Sequence, residues 1–268
     1  MRTSESMRTA GIRRVAGGRF CASLVLLILA LSSCRENRRV SLTISAAASL
    51  QETLGEVETA YLFGHATVDF RNNLGSSGTL AREIEQGAPV DVFISAAAKP
   101  MDDLEARGLI VAGTRANLLH NSLVLIAPLD SKLQGFAELG DRSIRLIAVG
   151  DPVSVPAGQY AQQTLIALHL YDTVKGKLVL GKDVRQVLTY IETGNADAGF
   201  VYATDAQVSR RVRVIAVVPE SAHDPIVYPA AVVKTSENPE EARRFVGFLN
   251  TSVAKNIFTK HGYTLASQ

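Results

Sequence analysis

An α/β fold is predicted by three features of the 268-residue chain. Short runs rich in β-branched residues recur along it, and amphipathic stretches of helical period lie between most of them. With 47% hydrophobic and 20% charged residues, its composition is that of a globular protein. Strand and helix in alternation favour largely parallel sheets flanked by helices.

In chain order, Val40 to Ser45 is a strand, and Leu50 to Phe63 is a helix with Leu50, Leu54, Val57, Tyr61 and Leu62 on one face. Gln51, Glu52, Glu56 and Glu58 take the other face. The strand at Ala66 to Arg71 leads through Gly75-Ser76-Ser77-Gly78 to a helix over Thr79 to Gln86. Val90 to Ser95 is a strand and Pro100 to Arg107 a helix. Strands at Ser122 to Ala127 and Ile144 to Val149 begin a new unit, followed by helices at Tyr160 to His169 and Val184 to Glu192. Ala198 to Tyr202, Val212 to Val217 and Ile226 to Val233 complete the strands, and Pro239 to Asn250 is a further helix. Breaks near residues 121 and 228 divide the chain into two lobes joined by two crossings. Residues 40–121 with 229–268 form the first lobe and 122–228 the second, and the cleft between them is the expected ligand site.

The formal charge of +2 is unevenly spread. Residues 1–34 hold five Arg and one acid; without them, 28 basic and 26 acidic residues become 23 and 25, a net of −2. A binder of nucleic acid held by phosphate neutralisation is not expected. Those 34 residues have the layout of a secretory signal: a basic stretch, the apolar run Ala22 to Leu31, then small residues. Ten apolar residues span about 15 Å as a helix, half of a bilayer core, so export and not a membrane span is expected. Leu31-Ser32-Ser33-Cys34 resembles the lipobox of bacterial lipoproteins, which makes Cys34 the expected site of acylation; an ordinary cleavage site beside an incidental Cys is the alternative. Translation starts at Met1 or at Met7. Cys21 leaves with the signal, so the folded part has no disulfide framework and no cysteine nucleophile.

Catalytic motifs are missing. The five His residues are scattered, and no metal-binding His pair or phosphate-cradling loop is present. A secreted serine hydrolase built on Ser77 would need a base that the sequence does not supply. Small and hydroxyl residues at the starts of helices recur instead, at Ala46 to Leu50, Gly75 to Thr79, Val155 to Gly158 and Asp183-Val184. Such residues are also ordinary helix caps, but several helix N-termini aimed at one cleft bind an anion through backbone N–H groups, without Lys or Arg.

At these residues the chain resembles the molybdate-binding proteins of bacterial ABC importers, the ModA type of two-lobed solute-binding protein. The resemblance runs from about Val40 to the C-terminus. Its motifs, in order, include Ala46-Ala47-Ala48-Ser49-Leu50, Ser76-Ser77-Gly78-Thr79, Gly87-Ala88-Pro89-Val90-Asp91, Asn121-Ser122-Leu123-Val124, Ala148-Val149-Gly150-Asp151-Pro152, Val155-Pro156-Ala157-Gly158, Asp183-Val184-Arg185, Val201-Tyr202 and Tyr228-Pro229. It implies the type II periplasmic-binding-protein fold, with each lobe a mostly parallel sheet. It also implies a tetrahedral oxyanion held by Ser49 and Ser77 from the first lobe and by Ala157, Val184 and Tyr202 from the second. Molybdate or tungstate is the implied ligand, with sulfate the nearest alternative; no cofactor and no catalysis are implied. The implied partner is a membrane permease with its cytoplasmic ATPase, served by a monomer in the periplasm or on the outer face of the cell membrane. Ala97, Ala98, Lys99 and Pro100 depart from the family pattern and are read as surface variation.

Overall fold

The structure is a computed structural model that describes residues 39–266. Residues 1–34, where a secretory signal is expected, lie outside the described residues, and Cys34 with them. Strands β1 (Val40–Ala47), β2 (Val68–Gly75), β3 (Val92–Ile94), β4 (Ala116–His120), β10 (Val227–Val232) and β11 (Thr264–Leu265) form one sheet, in the order β11-β4-β10-β3-β1-β2. Strands β5 (Leu123–Pro128), β6 (Ile147–Gly150), β7 (Leu178–Gly181), β8 (Ala198–Tyr202) and β9 (Val212–Val217) form the other, in the order β7-β6-β8-β5-β9. The chain passes between the sheets twice, from β4 to β5 and from β9 to β10.

Both sheets are mixed, which corrects the expectation of mostly parallel ones. β1 lies parallel to β2 and β3, and β6 parallel to β7 and β8. The strands that touch a crossing, β4, β5, β9 and β10, pair antiparallel. Parallel pairing needs a helical crossover within one sheet, and at these points the chain changes sheet with no long helix between strands. Pro229 stands inside β10, where a ladder donor would be lost, and the register with β4 shifts at Tyr228/Pro229 to accommodate it.

Helices α1 (Gln51–Leu62), α2 (Ser77–Glu85), α3 (Ala98–Ala106), α8 (Pro239–Leu249) and α9 (Ser252–Lys260) accompany the first sheet. Helices α4 (Pro156–Ala167), α5 (Tyr171–Val174), α6 (Val184–Glu192) and α7 (Ala203–Val208) accompany the second. A 3-10 turn, Ala48–Leu50, joins β1 to α1. Strands β4, β7 and β11 escaped the sequence reading because Ala116-Asn-Leu-Leu-His has little β-branched content and β7 and β11 are short and partly exposed. Asp91 ties the first sheet together: its carboxylate accepts the Thr43 N–H at 2.7 Å, the Ser236 hydroxyl at 2.5 Å and the Asn238 N–H at 3.2 Å. Among the described residues no helix is long and apolar enough to cross a membrane.

Two expectations of exposure fail. Ala97 is buried, its N–H and carbonyl both bonded to Ser95 Oγ, so only Lys99 of the departing segment is fully surface. Glu58 belongs to the inner face of α1, because β2 covers it and Asn72 Nδ2 donates to its Oε2 at 3.1 Å. Its Oε1 is buried with no partner. Burial pushes this carboxyl up from 4.5 to about 7, against the Asn72 bond. The folded chain therefore holds a proton that the unfolded chain releases, and stability falls as pH rises from about 4.5 to about 7. Glu58→Gln should flatten that slope, raising the melting temperature at pH 8 and leaving it near wild type at pH 5. The gain at pH 8 is on the order of 1–3 kcal/mol, and equal pH profiles for the two proteins would refute it.

Candidate functional site

The carboxyl ends of β1, β2 and β3 lie side by side, with Ala47 opposite Gly75 and Ala46 opposite Ile94. In the second sheet Gly150 and Gly181 pair at the ends of β6 and β7. Short turns lead from these strand ends into helices, and those that follow β2, β6 and β7 start at the cavity. Carboxyl ends of parallel strands are where open α/β sheets present their helix N-termini to ligands. Gly158 allows α4 to begin directly against β6, since a Cβ there would lie 1.9 Å from the Gly150 carbonyl oxygen.

All five residues implied by the motifs, Ser49, Ser77, Ala157, Val184 and Tyr202, line one small cavity between the lobes. Ser77 and Val184 are the first residues of α2 and α6, and Ala157 is the second of α4, after Pro156. Their N–H groups make no hydrogen bond to another described residue, as the first turn of a helix leaves them. Ser76 and Asp183 cap their helices with side-chain oxygens that accept the N–H groups of Thr79 and Gln186, so the caps take later donors and leave the first free. The cavity also touches Ala96, which the sequence did not single out. Ala96 N–H donates to Ser77 Oγ at 2.9 Å, and the Tyr202 hydroxyl donates weakly to the Ala96 carbonyl at 3.4 Å.

No residue lining this cavity is charged. Its space, about 10 Å3 for the centre of a water-sized sphere, admits about one water. As it stands the cavity has no room for a solute much larger than water. A hollow of about 420 Å3 between Gly78 and Arg82 of the first lobe and Ser154 and Gln159 of the second shares Val155 and Pro156 with this cavity, and one of about 200 Å3 touches Ser49 beside Glu52 and Arg185. Burial holds the phenols of Tyr202 and Tyr228 well above their ordinary range, so both remain O–H groups.

The lobes touch around the cavity. Gly78 N–H donates to the Ser154 carbonyl at 3.0 Å across the cleft. Arg185, next to Val184, reaches Glu52 on α1 with its Nη1 3.0 Å from Oε1. Its Nε lies 2.9 Å from Oδ1 of the fully buried Asp205. That contact is an ion pair without an aligned hydrogen bond, as neither Arg185 Nε nor either Asp205 oxygen has a partner of good geometry among the described residues. Burial raises the Asp205 carboxyl to about 7, with the guanidinium pulling against it. These partners lie far apart in sequence, and nothing in the local pattern pairs them.

Residues 42–264 match the family model for bacterial extracellular solute-binding proteins. The chain belongs to that family. A Bacillus subtilis (strain 168) relative, provisionally named an ABC transporter substrate-binding lipoprotein, is 42% identical over 91% of this chain and 96% of its own. The molybdate-binding protein ModA of Haemophilus influenzae is 39% identical over 83% of this chain and 89% of its own. The solved periplasmic molybdate-binding protein of Azotobacter vinelandii superposes with a TM-score of 0.76 and 25% identity, covering 84% of this chain and all of that one. The architecture is thus the two-lobed type II periplasmic-binding-protein fold.

Proposed function

We propose that this chain is the extracytoplasmic receptor of an ABC importer for molybdate or tungstate. The observation that carries the reading is the uncharged cavity at which N–H and O–H donors from both lobes converge. Ser77, Ala157 and Val184 offer N–H groups, Ser49 and Ser77 offer hydroxyls, and Tyr202 offers its own once it leaves the Ala96 carbonyl. Ala and Val have nothing but backbone to offer, so a ligand there is recognised by main-chain dipoles. Each hydrogen bond to a charged partner contributes roughly 1.5–3 kcal/mol, enough in sum for micromolar affinity or better after association costs. The names of the relatives support molybdate within the class of tetrahedral dianions. A serine hydrolase finds no support, because the recorded partner of Ser77 Oγ is a donor, the Ala96 N–H, and no base.

In this reading the chain acts as a monomer that hands its anion to a membrane permease with a cytoplasmic ATPase. Cys34 anchors it to the outer face of a membrane, in keeping with the lipoprotein name of the Bacillus relative. Calorimetry with molybdate, tungstate and sulfate tests the function. Molybdate and tungstate should bind and sulfate should not, and Ser77→Ala should weaken molybdate binding roughly ten- to hundredfold. Binding of sulfate alone would replace the assigned ligand, and an unchanged Ser77→Ala titration would remove that residue from the site.

A further inference from the structure

The Ser49 hydroxyl can either donate to the cavity or turn back to its neighbours, and those neighbours decide between the two. Its Oγ lies 3.0 Å from Tyr228 Oη, with both residues buried. Asn121 Nδ2 lies 3.3 Å from the same Oη and 2.9 Å from Thr204 Oγ1. Ser122 sets which end of the Asn121 amide points there, because its backbone N–H donates to Oδ1 at 2.9 Å. The amide nitrogen therefore faces Tyr228, and an NH2 group only donates. Tyr228 Oη accepts that bond, and Ser49 Oγ is the remaining described partner for its single proton. Accepting from Tyr228 leaves the proton of Ser49 free to turn to the donor-lined cavity, one of the two hollows that Ser49 touches, the other being edged by Glu52 and Arg185.

We propose that Asn121 and Tyr228 are positioning residues that make the Ser49 hydroxyl a donor toward the cavity, and thereby help the site select fully deprotonated oxyanions. This rests on the oxyanion reading above. Ser77 reaches the same state by a shorter route, since the Ala96 N–H occupies its oxygen. With both serine protons turned inward, an anion that keeps a proton of its own, as hydrogenphosphate does, meets donors where it needs an acceptor. Asn121 stands between β4 and β5 and Tyr228 near the start of β10, so the relay is built on the two crossings between the lobes. Both residues belong to motifs, Asn121-Ser122 and Tyr228-Pro229, to which the ligand set gives no task.

A double-mutant cycle read by calorimetry tests the relay, with molybdate as the probe and sulfate as a second dianion. Tyr228→Phe and Ser49→Ala should each weaken binding roughly tenfold, and the double variant should bind within about twofold of Ser49→Ala alone. Losses that multiply to about a hundredfold would show Tyr228 acting elsewhere and overturn the proposal. Asn121→Asp is the second variant, equal in shape but with an acceptor facing Tyr228. Tyr228 then donates to residue 121, Ser49 turns its proton to Tyr228, and molybdate affinity should fall roughly tenfold while hydrogenphosphate binding rises. Molybdate affinity equal to wild type in Asn121→Asp would overturn the relay. Whichever of the two dianions the protein binds reports the cycle, so a protein that takes sulfate in place of molybdate removes the assigned ligand and leaves this test standing.

Discussion

Gly78→Val should weaken anion binding at least roughly a hundredfold and leave the melting temperature without ligand near wild type. Gly78 sits in the first turn of α2, in the first lobe, with its N–H 3.0 Å from the Ser154 carbonyl of the second lobe. A Cβ there would stand 2.6 Å from that oxygen and 3.1 Å from the Ser154 Cα, both backbone atoms that cannot swing aside. Overpacking of this kind costs about 1–3 kcal/mol for a methyl and more for a branched side chain. The cost falls on the arrangement in which the lobes meet, because the three nearest atoms all belong to Ser154 of the second lobe. A binding protein that closes around its ligand by a hinge motion must make this contact in the form that holds the anion. Small-angle scattering should accordingly show compaction on adding molybdate in the wild type and none in Gly78→Val. A variant that binds and compacts normally would show the Gly78 to Ser154 contact to be dispensable. Gly78→Ala is the graded control, with an expected loss of roughly tenfold.

Arg185→Ala should destabilise the fold itself, by roughly 3–5 kcal/mol, because it leaves a carboxylate without its counter-ion inside the protein. Asp205 is fully buried, and Arg185 Nε at 2.9 Å is its only charge partner among the described residues. The carboxyl already sits at about 7 through burial, so it takes up a proton when the guanidinium goes, which limits the cost at acid pH. Arg185 also links Glu52 of the first lobe to Asp205 of the second. The Glu52 half of that link is solvent-accessible and contributes less. Adding Asp205→Asn to Arg185→Ala should therefore restore most of the lost stability in denaturant titration, whereas adding Glu52→Gln should restore none. Absence of rescue by Asp205→Asn would locate the loss in the packing of the arginine stem.

The parts legible in the sequence were those whose cause is local. The helix starts at Ser77, Ala157 and Val184 announce themselves through small residues and caps, and the structure brings them to one cavity with Ser49 and Tyr202. Alternation of strand and helix correctly marks β1 to β3, β6 and β8, where each connection runs through a helix packed on its own sheet. It misleads at β4, β5, β9 and β10, whose direction is set by a change of sheet that leaves no local periodic signal. Glu58 was placed with the polar face of α1 because periodicity cannot foresee that β2 and Asn72 would cover it. The partners that shape the site lie farther off still: Tyr228 is 179 residues from Ser49, and Asn121 is 107 residues from Tyr228. Such pairs are products of the tertiary fold, and single residues give no hint of them.

The uncharged lining of the cavity also bears on how fast and under what conditions the protein works. A site built from fixed dipoles on two lobes casts little field into solution, so anions are not steered toward it over a Debye length as they are toward a basic funnel. Capture should then be nearly indifferent to ionic strength. When the lobes separate, each half should keep only part of the donors, so opening should weaken the hold on the anion.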